Sequence, residues 1–203
     1  MPKLTSIIMT CFNETKFQSH MSMEALANIV KFTNRDEYEL IVMDPIPKWP
    51  IRDDYKVLDI DKKFVLDDDP GYTACMNMGA KASVGDYLVF IQNDVFVHEG
   101  WLPQLRFYLE NGYEAVFPDQ VPRSRQYVLD TYKREPLDPE SLKGGRDAGL
   151  LMITREAFDR TGGWNEELSL LAETDFYKRM GNAGVNWTDT NKVLITHIMA
   201  GAL

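Results

Sequence analysis

Residues Gly85 to Asp94 read Gly-Asp-Tyr-Leu-Val-Phe-Ile-Gln-Asn-Asp. Tyr87 to Ile91 is an apolar run with no polar alternation, which describes a strand buried on both faces. Such strands belong to parallel sheets covered by helices on either side. Gly85-Asp86 separates this strand from what precedes it, and Gln92-Asn93-Asp94 ends it in polar side chains. In open α/β sheets, ligands sit beyond the carboxyl ends of the strands, so Asp94 stands where chemistry is expected.

Working outward, Tyr72 to Ala82 reads as a helix with small residues on one side. Leu4 to Phe12 is a second buried strand, and Ser22 to Phe32 places Met23, Leu26, Ala27, Ile29 and Val30 at helical spacing. Tyr38 to Met43 is a strand ending at Asp44-Pro45, so strand, helix and strand form a βαβ unit with a right-handed crossover. Three prolines between Pro45 and Pro50 forbid regular structure there. Tyr55 to Ile60 fits a short third strand before the acidic turn Asp67 to Gly71. Toward the C-terminus, Trp101–Glu110 reads as a helix, Ala115–Phe117 and Gly149–Thr154 as strands, and Arg155–Arg160 as a short helix broken by Gly162-Gly163. Glu173–Ala183 reads as a helix and Val193–Thr196 as a last strand before His197. The carboxyl-end rule selects Thr10 to Glu14, Asp44, Asp94 and His197. Any one such Asp also fits a turn or helix cap; several on one rim point to a ligand site.

The chain has 203 residues, 44% hydrophobic and 26% charged, which suits one domain with an elaborated loop. Its 22 Lys+Arg against 31 Asp+Glu leave a formal charge of −9, which argues against a surface built for phosphate backbones or anionic lipid. Cys11 and Cys75 form no CxxC motif and read as buried thiols of a reducing compartment. No apolar stretch approaches the ~20 residues of a spanning helix, and Ser6–Met9 is too short for a signal-peptide core. A soluble cytoplasmic protein is expected.

Three blocks carry a family resemblance: Ser6 to Glu14 (SIIMTCFNE), Gly71 to Trp101 (GYTACMNMGAKASVGDYLVFIQNDVFVHEGW), and Gly149 to Arg179. The third contains Arg155-Glu156-Ala157-Phe158, Gly162-Gly163-Trp164-Asn165-Glu166 and Glu173-Thr174-Asp175. In this order they resemble the family 2 glycosyltransferases, inverting nucleotide-sugar-dependent enzymes of the GT-A fold. The resemblance implies an α/β fold in which residues 1–203 form a single GT-A-type domain. Its Rossmann-like, mostly parallel central sheet is flanked by helices. Residues 1–100 then form the nucleotide-sugar-binding half, and 101–203 the acceptor-side half with a long loop at 119–146.

The same resemblance assigns roles. Asp94 falls on the last acid of the family's Asp-x-Asp metal motif, which here reads Gln92-Asn93-Asp94. His197 resembles the C-terminal histidine that ligates the metal or contacts the diphosphate. Together they imply a divalent cation, Mn2+ or Mg2+, which stabilises the charge developing on a leaving diphosphate. Counting back four from Arg179 aligns Asp175 with the second acid of the pattern Glu-Asp-x-Asp…Arg. Glu173 then occupies the catalytic acid's position and is the expected base, with Asp175 its substitute. Both acids also suit a helix N-terminus on dipole grounds alone. Nucleotide-sugar contacts are expected from Thr10, Asn13, Glu14, Asp44, Asn77, Lys81 and Asn93. The family's continuation after Asp44 is replaced by Pro45-Ile46-Pro47, and the Arg common before Asn77 is Met76, so the nucleotide base stays open.

The expected partners are a nucleotide-sugar donor and an acceptor: a glycan or lipid-linked glycan, a protein, or a modified nucleic-acid base. Arg123, Arg125, Lys133 and Arg134 with Tyr127 and Tyr132 form a basic–aromatic strip in the long loop, for which ordinary solvated surface is the better reading. The competing function is a non-catalytic relative that binds sugar nucleotide or a partner, favoured by the shortened metal motif and by Glu at position 173. A nucleotidyltransferase needs a Gly-rich phosphate loop after the first strand, and Thr10-Cys11-Phe12-Asn13 is not one.

Overall fold

Strand β1 (Thr5–Thr10) buries every side chain, and the apolar ones alternate between two cores. It pairs in parallel with β2 (Tyr38–Pro45) on one side and β4 (Tyr87–Gln92) on the other, with Ile8 opposite both Ile41 and Phe90. β3 (Lys62–Leu66) adds in parallel at the edge beyond β2. On the other side of β4 the sheet changes character. β7 (Leu150–Thr154) runs antiparallel to β4, β6 (Ala115–Pro122) antiparallel to β7, and β8 (Trp187–His197) parallel to β6. The two-residue β5 (Val95–Phe96) closes the far edge against β8. The order is β3-β2-β1-β4-β7-β6-β8-β5, and four of the seven pairings are parallel. The computed structural model describes residues 4–51, 58–122, 149–168 and 171–198.

Helices cover both faces. Helix α1 (Lys16–Phe32) packs Met21, Ala25, Leu26 and Ile29 against Ile7, Met9, Leu40 and Val42, and α3 (Trp101–Glu110) extends the same core. On the opposite face, α2 (Tyr72–Ala82), α4 (Arg155–Thr161) and α5 (Ala172–Asn182) pack against Ile8, Ile41, Leu88 and Phe90. A Cβ at Gly79 would collide with the Ile8 side chain, so glycine there lets α2 approach β1 closely. No helix among the described residues is long and apolar enough to cross a membrane.

Several boundaries differ from expectation, each for a physical reason. α1 begins six residues before Ser22 because Thr15 and Gln18 form a capping box: Gln18 N–H donates to Thr15 Oγ1 (3.2 Å) and Thr15 N–H to Gln18 Oε1 (3.0 Å). The third strand is Lys62–Leu66 rather than Tyr55–Ile60; Leu58 to Ile60 are not strand, and 52–57 lie outside the described residues. Its two lysines hide it from a hydrophobicity reading, yet edge strands commonly carry lysine. β6 runs on through Asp119–Pro122, where a loop was expected. The remainder of 119–146, with the basic–aromatic strip, lies outside the described residues. His197 is the last residue of β8 instead of the residue after it. Both cysteines are buried free thiols, as expected.

The amino ends of the strands are tied by a buried carboxylate. Glu39 Oε1 accepts from Ser6 Oγ (2.6 Å) and the Val84 N–H (2.5 Å), and Glu39 Oε2 accepts from Lys62 Nζ (3.0 Å). Arg155 completes the turn between α2 and β4, donating to Gly85 O (2.8 Å), Ala80 O (3.2 Å) and Ser83 Oγ (2.6 Å). Burial alone would raise the Glu39 pKa, but the bonds from Ser6, Val84 and Lys62 together hold it below its ordinary value. The stabilisation is therefore present above the unfolded-state value and is lost as pH falls through the lower folded value. Glu39→Gln is expected to cost about 1–3 kcal/mol at pH 7. In urea melts its deficit against wild type should shrink below about pH 4.5; a deficit independent of pH would contradict the assignment.

Candidate active site

β4 ends at Gln92, and the chain turns through Asn93 and Asp94 into β5. Because β5 pairs antiparallel with β8, Val95 lies opposite His197. The result is an Asp94 carboxylate whose Oδ1 is 3.2 Å from His197 Nε2, with both residues buried. The Ile198 N–H donates to Asp94 O (3.0 Å) and fixes the turn. One carboxylate and one imidazole this close fit a single Mg2+- or Mn2+-sized cation that takes its other ligands from phosphate and water. Among the described residues, no group of three or more His, Cys, Asp or Glu side chains gathers to hold a metal through protein alone.

On the α1 face, a hydrogen-bonded chain runs along the strand ends. Asn93 Nδ2 donates to Ser22 Oγ (2.8 Å), Ser22 Oγ to Asn13 Oδ1 (2.9 Å), and Asn13 Nδ2 to Asp44 Oδ1 (2.6 Å). Asp44 is wholly buried, and its Oδ2 accepts the Ile51 N–H (3.3 Å). Burial raises its pKa, against the opposing bonds from Ile51 and Asn13. Asp44 thus anchors Asn13 and the Pro-rich segment and does not face solvent. The Trp49 N–H donates to Asn13 O (3.0 Å), tying that segment to the loop that follows β1. Phe12, Ile46 and Trp49 are exposed here, and Lys16 Nζ lies 4.6 Å from the centre of the Trp49 ring. Glu14 is exposed beside them. Thr10 is buried at the end of β1, and among the described residues its Oγ1 has no hydrogen-bond partner.

On the α2–α5 face, aromatic packing supports the rim. Trp164 stacks on Phe176 (centroids 4.3 Å apart, planes at 21°) and meets Phe90 and Tyr72 edge-on. The Gly162-Gly163 turn that leads into it has left-handed backbone, with φ of 86° and 69°. Asn77 clamps the turn: its Nδ2 donates to Trp164 O (2.9 Å) and Glu166 Oε1 (2.8 Å), and its Oδ1 accepts the Trp164 N–H (2.9 Å). Arg179 holds the other side, donating to Thr161 O (2.9 Å), Gly163 O (2.6 Å) and Asp175 Oδ2 (2.8 Å). Asp175 is therefore committed to Arg179. Glu173 lies half-buried two residues earlier on α5. Burial first, then the charge of Glu173, raises the Tyr72 pKa and keeps it a neutral phenol.

The sequence profile described as Glycosyl transferase family 2 matches residues 6–165. The chain belongs to the family 2 glycosyltransferases. Among solved structures, it is similar to "Crystal structure of GalNAc-T7 with UDP, GalNAc and Mn2+", with a TM-score of 0.73 and 18% identity over 97% of this chain and 44% of that one. The chain spans less than half of that protein's length, and at this identity the likeness establishes the GT-A fold alone. No curated protein matches the sequence.

In this glycosyltransferase chain, Thr10, Asn13, Asp44, Asn93, Asp94 and His197 gather at the carboxyl ends of the strands, and Glu173 stands in the first turn of α5. Two expected nucleotide contacts are placed otherwise. Asn77 is engaged with the Gly-Gly-Trp turn. Lys81 is exposed near the far end of α2, nine residues or about 13 Å from Tyr72 along the axis. It neighbours Ala82, whose carbonyl bonds Lys62 beside Glu39 at the opposite end of the sheet. Tyr72, Ser22 and Trp49 are neighbours of the rim that sequence reasoning did not single out. Tyr72 follows Gly71 inside a recognised block, so position alone marks it; Ser22 reads only as a helix residue. Asn77→Ala should destabilise the fold by about 2–3 kcal/mol in urea denaturation, since it strands the Trp164 amide and carbonyl. An unchanged midpoint would show that the clamp carries no load.

Proposed function

We propose that the chain is an inverting glycosyltransferase that moves a sugar from a nucleoside-diphosphate donor to an acceptor hydroxyl, with a divalent cation and a carboxylate base. The observation that carries this reading is the buried pair of Asp94 and His197, whose Oδ1 and Nε2 lie 3.2 Å apart at the carboxyl ends of the strands. Asp94 and His197 would hold the cation. When bound, it supplies positive charge to the diphosphate that leaves.

The other tasks fall to the chain itself. Glu173 accepts the proton of the acceptor hydroxyl as that oxygen bonds the anomeric carbon and the bond to the diphosphate oxygen breaks, a single displacement with inversion. Among the described residues no hydrogen bond ties up the Glu173 carboxylate, whereas Asp175 is occupied with Arg179 and orients the turn beneath the base. Phe12 and Trp49 offer aromatic faces to a nucleobase, and Thr10, Glu14 and Asn93 offer oxygens to the nucleotide. Asn13 and Asp44 act one layer behind them. The acceptor is a hydroxyl of a glycan or lipid-linked glycan, a protein, or a modified nucleic-acid base, and the setting is the cytoplasm.

The solved relative holding UDP and Mn2+ makes these the first ligands to test. Asp94→Asn should abolish manganese-dependent binding of UDP in calorimetry while leaving the thermal melt of the unliganded protein near that of wild type. Glu173→Gln should keep UDP binding and lower transfer or donor hydrolysis by about 100-fold or more. Full activity in Glu173→Gln with loss in Asp175→Asn would reverse the assignment of the base. Manganese-dependent binding without transfer or hydrolysis in the wild type would favour the non-catalytic reading.

A further inference from the structure

The chain Asn93–Ser22–Asn13–Asp44 has a direction that its chemistry dictates. As a carboxylate, Asp44 only accepts, so the Asn13 amide must turn its NH2 toward Asp44 and its carbonyl toward Ser22. A carbonyl only accepts, so the single proton of the Ser22 hydroxyl is committed to Asn13. Ser22 can then only accept from Asn93, which must present its NH2 inward. The hydroxyl's one proton goes to Asn13 and a lone pair takes the Asn93 N–H, which fixes the direction of the chain. An amide turned inward by its nitrogen shows its oxygen to the other side. Asn93 is half-buried on the rim next to Asp94, and among the described residues no partner engages its Oδ1.

We infer that Ser22 is a positioning residue: relaying the polarity of Asp44, it locks the Asn93 amide with its carbonyl toward the site, which selects a ligand presenting a hydroxyl donor there. This rests on the proposed function, because it takes the ligand to be a nucleotide. The donor is then a hydroxyl of the nucleotide's ribose. An unlocked amide would rotate to offer NH2 or oxygen indifferently, and the preference would vanish. A hydroxyl–carbonyl bond of ordinary strength corresponds to about a five- to tenfold preference.

The test measures calorimetric affinity, with manganese present, for UDP, 2′-deoxy-UDP and 3′-deoxy-UDP. Wild type should bind UDP about five- to tenfold more tightly than one of the two analogues, and that analogue identifies the hydroxyl. In Ser22→Ala this ratio should fall toward one, and Ser22→Cys, which keeps the volume, should act in the same direction. Asn93→Ala should also bring the ratio to one, and adding Ser22→Ala to it should change the ratio no further. A merely structural role for Ser22 would weaken all three nucleotides alike and leave the ratio intact, which would overturn the inference. So would a wild type that binds UDP and both analogues equally. Failure of the wild type to bind UDP, ADP, GDP or CDP with manganese would instead overturn the proposed function, and the inference with it.

Discussion

The short antiparallel contact between β5 and β8 is the constraint on which the site depends. It is two residues long, yet it sets Val95 opposite His197 and so brings a carboxylate from the middle of the chain to an imidazole near the last described residue. Neither side chain suits burial alone, because an uncompensated ionised group away from water is strongly disfavoured. Held 3.2 Å apart, they answer one another, and the same separation suits a shared cation. The sheet order makes this possible. Inserting β7 antiparallel after β4 lets β6 and β8 extend the sheet, so that β8 delivers His197 back to the rim where β4 ends.

Around that pair, the two faces of the sheet contribute different physics. The α1 face supplies directional hydrogen bonds in a buried setting, where each amide has one orientation consistent with its neighbours. The α2–α5 face supplies shape: Trp164 on Phe176, Phe90 edge-on, and a glycine turn pinned by Asn77 on one side and Arg179 on the other. A side chain at Gly163 would press on Asn77 Oδ1, at 2.9 Å from its Cβ, besides straining a left-handed backbone. Rigid packing on this face holds α5 in place, and α5 carries Glu173. Opposite the site, Glu39 and Arg155 tie the amino ends of the strands, so the end that carries exposed polar groups is braced from behind.

Much of this was legible in the residues. The uninterrupted apolar runs of β1 and β4 announce a doubly covered parallel sheet because burial on both faces removes alternation. Asp94 and His197 are found by asking what stands at strand ends, and the family motifs point the same way. Other features were hidden. β3 carries Lys62 and Lys63, whose ammonium groups reach Glu39 and Ile51 O, so its place in the sheet owes little to apolar content. The pattern also assigns Asn77 and Asp44 to ligand contact, since a polar residue in a motif looks the same in sequence whether it faces a ligand or satisfies a turn.

The class of fold, the order of its main elements and the family are all legible in the residues alone, because periodicity and local motifs are properties of neighbouring residues. So are the candidate metal ligands and base. Which polar groups face outward and which are consumed inside depends on assembly of the fold: Asn13, Asp44, Asn77 and Asp175 turn to protein partners, while Glu173 and Asn93 stay half-buried. The physical reason is that a hydrogen-bond partner dozens of residues away, such as Trp164 for Asn77, leaves no local trace in the chain. Satisfaction of a buried polar group is settled only when the sheet and helices assemble around it.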